Sequence, residues 1–181
     1  MSFFSWENEL SRDGHRMELS GLSIVMHCHH YNINLQKTLE DTLGQEGVAL
    51  MVHSVEEASR SIFISLFEQF DQIKTDKSKL EMAATMYQNC GLGIVHLLTV
   101  GPDGGRIVSP SSHQVTGWLA KHGRRRTPGC HFARGWLAGV LEAVYGHPLG
   151  YYEVTETECK MMRNKDCVFH VSPSHGSSRE D

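Results

Sequence analysis

Apolar residues fall into two textures along this chain. Between Ser54 and Phe70, the residues Val55, Ala58, Ile62, Phe63, Leu66, Phe67 and Phe70 recur at the spacing that lays one stripe along a helix. Ser54 and Glu57 stand as a capping box at its start. A weaker stripe, Ile33, Leu39 and Leu43, predicts a helix over INLQKTLEDTL, capped by Asn32 and ended by Gly44. Another runs from Lys77 to Asn89, with Leu80, Ala83, Ala84 and Tyr87 to one side. A second long helix, Cys130 to Tyr145, gathers Phe132, Trp136, Leu137, Val140, Leu141 and Val144 before Gly146 and Pro148 stop it. Gly135 and Gly139 lie inside that helix. Each costs about 0.5–1 kcal/mol relative to alanine, so the pair predicts close backbone approach to another element or to a ligand.

The second texture is extended. Met17, Leu19, Leu22, Ile24, Val25 and Met26 lack helical spacing and predict one or two strands over residues 15–31, running into HCHHYN. Ile94 to Val100 is a buried-strand run, Pro102-Asp103-Gly104-Gly105 a turn, and Arg106 to Val108 the returning strand of a hairpin. Ser111-Ser112-His113 opens a short helix holding Val115, Trp118 and Leu119. Gly150–Cys159 and Cys167–Val171 predict a last hairpin around KMMRNKD. There is no internal repeat and no long linker. The order gives a single α+β domain over residues 1–171, an antiparallel sheet with helices packed against it, and a disordered tail over 172–181.

Composition narrows the function classes. A chain of 181 residues with 40% hydrophobic and 21% charged content suits one ordinary globular domain. The net charge of −4 argues against direct nucleic-acid binding, and the one dense basic run, Arg124-Arg125-Arg126, reads as a solvated loop or an anion or partner contact. MSFFSWENELSRDG lacks the basic start and the roughly 7–15-residue apolar core of a signal peptide. GLGIVHLLTV falls short of the ~20 residues needed to cross a bilayer. The expectation is a cytoplasmic protein with no membrane partner. Five cysteines in a reducing compartment favour free thiols or metal ligands over a disulfide framework.

The cysteines converge near the C-terminus. Cys159 and Cys167 sit at the two feet of the last hairpin, which brings their sulfurs close. Glu156 can join them only if its strand bulges, because residues three apart on a regular strand face opposite ways. Cys130, at a helix N-terminus where the thiolate is favoured, is the candidate for a further ligand. A C-x7-C spacing is not a zinc signature by itself. On these residues alone a metal site, a redox pair and buried structural thiols all stand open.

The segment Cys130-His131-Phe132-Ala133-Arg134-Gly135-Trp136-Leu137-Ala138-Gly139, followed by Glu156-x-x-Cys159-x7-Cys167-x-Phe169, resembles the 4-vinyl reductase-like domain. This is the small-molecule-binding domain of aromatic-sensing bacterial regulators, and the match is densest over residues 90–171. The resemblance implies a zinc ion held by Cys130, Glu156, Cys159 and Cys167 in a closed, structural role that staples the C-terminal hairpin. It also implies a homodimer. The distance from Cys130 to Glu156 is a few residues longer here, which a loop around Gly146-His147-Pro148 can absorb.

Twelve histidines are the compositional anomaly, three of them in His27-Cys28-His29-His30. On a strand, His27 and His29 would share one face with Tyr31. His96 lies within an apolar run and His113 at a helix start. The expected ligand contacts are His29, His96, His113, Trp118 and Trp136, around a small aromatic or hydrocarbon-like molecule. Two functions follow: a zinc-containing binding domain acting as sensor or pathway accessory, or a stand-alone lyase, isomerase or hydrolase. For the enzyme, His27, His29, His30 and Tyr31 are the catalytic candidates, with a second metal as an option. No GxxxxGK[ST] phosphate loop occurs, and Gly101-Pro-Asp-Gly-Gly105 precedes no helix, so it is not a dinucleotide fingerprint.

Overall fold

A computed structural model describes residues 9–97 and 99–174. Three short strands, β1 (Leu10–Asp13), β2 (Arg16–Leu19) and β3 (Leu22–Ile24), form an antiparallel meander. The second turn pairs Leu19 with Leu22 across Ser20 and Gly21, both at positive φ, as a two-residue hairpin of right-handed twist requires. The expected strand through HCHHYN is not formed. β3 ends at Ile24, Cys28 sits at the N-cap in extended geometry, and helix α1 (His29–Leu43) begins there. Ile33 and Gln36, one helical turn apart, are the residues α1 buries, and the histidines prolong that helix over no core.

Helix α2 (Gln45–Gln69) follows at once, so Gly44 ends one helix and opens the next. Ser54 and Glu57 are therefore mid-helix, not a cap. The first turn of α2 is locked against α1, where a Cβ on Gly47 would lie 2.3 Å from the Leu39 carbonyl oxygen. Helix α3 (Asp76–Asn89) carries a true capping box, Thr75 with Ser78.

The main sheet holds five antiparallel strands: β4 (Gly93–His96), β5 (Val100–Gly101), β6 (Gly104–Ser112), β7 (Tyr152–Glu158) and β8 (Cys167–Pro173). Their order is β4-β6-β8-β7, with β5 also on β6. The expected strand Ile94–Val100 is thus interrupted. Val95 and Leu97 turn inward and His96, between them, turns out to solvent, as a period of two dictates. Strand β8 runs to Pro173, past the expected domain edge, and the rest of the expected tail, residues 175–181, lies outside the described residues.

Helices α4 (His113–His122) and α5 (His131–Tyr145) complete the fold. The core lies between the sheet and α2, α3 and α5. Gly135 and Gly139 bring α5 onto α2, where an added Cβ would lie 2.2 Å from the carbonyl oxygens of Val52 and Glu56. The close approach expected from those glycines is therefore helix to helix. At the same crossing Glu142, fully buried, meets Glu56. Glu142 accepts from the backbone N–H of Tyr151 at 2.9 Å, and Glu56 from that of Gly150 at 3.1 Å. Burial, then the neighbouring Glu56 carboxyl, pushes the Glu142 pKa up to about 8.

Candidate metal centre and ligand cavity

Strand β7 alternates inward Tyr152, Val154 and Glu156, then slips: Glu156 pairs with Phe169 and Glu158 with Val168, leaving Thr157 as the extra residue of a bulge. That slip turns Cys159 to the same side as Glu156. Cys167 starts β8, and Cys130 stands at the N-cap of α5. One ligand atom from each of Cys130, Glu156, Cys159 and Cys167 lies within 4.8 Å of the others, and all four residues are buried. The Cys130 and Cys167 sulfurs are 3.6 Å apart.

Three thiols and a carboxylate form a donor set that could hold a soft or borderline divalent ion in a closed site. The carboxylate is already aimed. Glu156 Oε2 accepts from the Gly129 and Cys130 N–H groups at 3.0 and 2.8 Å, while its buried Oε1 has no partner. Burial, reinforced by Cys159, raises the Glu156 pKa to about 7. Donation from Cys130 and Cys167 pulls the Cys159 thiol far down, and the same contact holds Cys130 up. Such mutual dependence of buried acids is what a bound cation relieves.

A polar latch surrounds this cluster. Gln36 of α1 donates to the Gly129 carbonyl at 2.8 Å, and Glu40, a turn later, meets His131 Nε2 and Arg125, each at 3.0 Å. Burial opposes ionisation of Glu40, but hydrogen bonds from His131, Arg125 and Gln36 outweigh it and take its pKa down to about 2. Arg125 is therefore not part of a solvated run; its guanidinium also lies 4.5 Å over the Trp118 ring.

Two apolar cavities open beside α2. The outer one, about 490 Å³, has walls from α1 (Ile33, Gln36), α2 (Met51, Val55), α4 (His113, Gln114) and Phe132. An inner one, about 360 Å³, is bounded by Phe63, Met86, Tyr87, Leu92, Phe132 and Trp136. In the outer cavity the Nδ1 of His113 is 3.2 Å from the Leu92 carbonyl, so Nδ1 carries the proton. Burial lowers the His113 pKa and keeps the ring neutral. Its Nε2 is then a buried acceptor with no partner.

The other expected site residues are dispersed. His27 stacks on Tyr31 at 4.7 Å, and His29 meets His30 edge-on at 4.2 Å, all at the solvent-facing start of α1. Among the described residues the Cys130 cluster is the one group of three or more His, Cys, Asp or Glu side chains placed to hold a metal, and the HCHH histidines lie outside it. His96 is exposed, and Trp118 is buried beneath Arg125; neither lines these two cavities. His113 and Trp136 do.

Compared with known structures, this chain is similar to the phenol-responsive sensory domain of the transcription activator PoxR, in a crystal structure with phenol. The TM-score is 0.79 at 20% identity, over 93% of this chain and 86% of that one. This chain shares the fold of that domain. A vinyl-4-reductase family protein from Methanocaldococcus jannaschii aligns over 81% of this chain and 92% of its own, at 16% identity and a TM-score of 0.44, too low to add to that. No family model and no curated protein matches the chain. Within this fold, sequence patterning missed Gln36, Glu40 and Gln114. Gln36 and Glu40 share the α1 face of Ile33, three and seven residues on, so a polar pair on an apolar stripe was the available signal. Among the described residues no helix is long and apolar enough to cross a membrane.

Proposed function

We propose that this chain is a small-molecule sensory domain that binds a hydroxyl-bearing aromatic compound and is stapled by zinc at Cys130, Glu156, Cys159 and Cys167. The observation that carries the ligand assignment is His113. A neutral imidazole whose Nδ1 donates to a backbone carbonyl offers Nε2 as an acceptor, and in an apolar cavity an unpaired acceptor calls for a donor. A phenolic O–H is such a donor, attached to a ring that the surrounding side chains would bury. Phenol responsiveness of the similar PoxR domain supports this choice of class.

Zinc suits the donor set because thiolates and one carboxylate around a closed tetrahedral position favour it over harder ions. When bound, the ion supplies cross-linking between α5 and the last hairpin, not chemistry on a substrate. Unpaired thiols fit a reducing compartment such as the cytoplasm. The exposed Val25, Met26 and Tyr31 offer apolar surface to a second copy of the chain, and sedimentation would test the dimer.

The deciding experiment is titration of phenol and of its methyl ether, anisole, into wild type and His113→Phe, followed by calorimetry. Phenol should bind wild type, with anisole at least tenfold weaker, the worth of one buried hydrogen bond. His113→Phe should erase the difference between the two compounds. Equal binding of phenol and anisole to wild type would overturn the His113 assignment.

A further inference from the structure

The two cavities share a wall: Ser54, Val55 and Phe132 line both. Their remaining walls differ in chemistry. The outer lobe brings Asn32, Gln36, His113 and Gln114 to one space. The inner lobe is hydrocarbon and aromatic, with Ile62, Phe63, Met86, Leu92 and Trp136 facing it. Water needs two to four polar partners to settle in a cavity, and the inner lobe provides few. An empty apolar lobe forfeits dispersion contacts on every wall. Phe132, whose ring meets His113 edge-on at 5.8 Å, lines both lobes, so a molecule anchored at His113 lies beside a wall of the inner lobe.

We infer that the ligand of this site is a phenol carrying a second apolar group, an aryl ring or branched hydrocarbon arm, with its hydroxyl at His113 and its second group past Phe132 in the inner lobe. The inference rests on the aromatic-binding reading above and narrows it. A single ring occupies one lobe and leaves the other unfilled. Each lobe lies in the lower part of the roughly 300–1,000 Å³ range of ligand pockets, so together they suit a molecule of at least two rings.

Calorimetry on the metal-loaded full chain with phenol, para-phenylphenol and biphenyl tests this. Para-phenylphenol should bind about 30-fold or more tighter than phenol, the gain expected from burying one further phenyl group. Biphenyl should be weaker than para-phenylphenol because His113 stays unpaired. Ala58→Trp, on the exposed rim of the inner lobe, should abolish the advantage of para-phenylphenol while phenol binds as in wild type, which also reports that the variant is folded. Phenol and para-phenylphenol binding equally to wild type would overturn the two-lobe inference and leave the aromatic-binding reading standing. Binding of neither would overturn both.

Discussion

Glu142 and Glu56 show how one titratable residue sets a property of the whole protein. Glu142 in the fold keeps its proton up to about pH 8, whereas the unfolded chain releases it near 4.5. Between those values the folded state binds more protons than the unfolded, so the stabilising contribution is complete below pH 4.5 and is lost as pH rises towards 8. Glu142→Gln keeps an acceptor for the Tyr151 N–H and never ionises. Its melting temperature should fall less over that window than the wild-type value, with a gap of several degrees at the upper end by calorimetry. A second residue-scale expectation concerns the thiols. For the proposed zinc site, mass spectrometry of the intact protein should find one zinc per chain, lost in Cys159→Ser and kept in His29→Ala, since His29 stands outside the cluster.

At the scale of elements, the α2–α5 crossing is the most extensive contact in the fold. Gly139→Ala would push a methyl carbon to 2.2 Å from the Glu56 carbonyl oxygen, a backbone atom that cannot step aside. The expected cost is about 1–3 kcal/mol, read as a shift in urea midpoint at unchanged slope. This contact was legible beforehand, because two glycines weaken a strongly apolar helix unless a neighbouring backbone packs into the space they leave. Helices α3 and α5 and the last hairpin were equally legible from periodicity and turn residues. The bulge that joins Glu156 to Cys159 entered only as a condition, since a two-residue period cannot announce where it will slip. HCHHYN misled because Val25 and Met26 prolong an apolar run that no strand beyond β3 pairs with. Ser54 and Glu57 imitate a cap sequence, but Gln45 to Val52 already propagate the helix, and a cap motif has meaning only where the chain leaves helical geometry. The polar face of α1 was legible but the latch's pairing was not, because its partners are separated by 85 to 93 residues.

For the whole molecule, these links make the metal centre and the cavity neighbours through α1. Gln36 lines the outer cavity and also holds the Gly129 carbonyl beside Cys130. Gln36→Leu keeps the side chain's bulk at the cavity wall and removes that bond, so zinc at the proposed site should pass to a chelator several-fold faster, with far-UV circular dichroism unchanged. Helix α1 buries only Ile33 and Gln36, and Glu40 ties it to Arg125 of the loop before α5 and to His131 at the start of that helix. The loop that carries Cys130 thus also holds one wall of the cavity in place. Chelation should therefore shorten the residence time of a bound phenol more than it slows its capture.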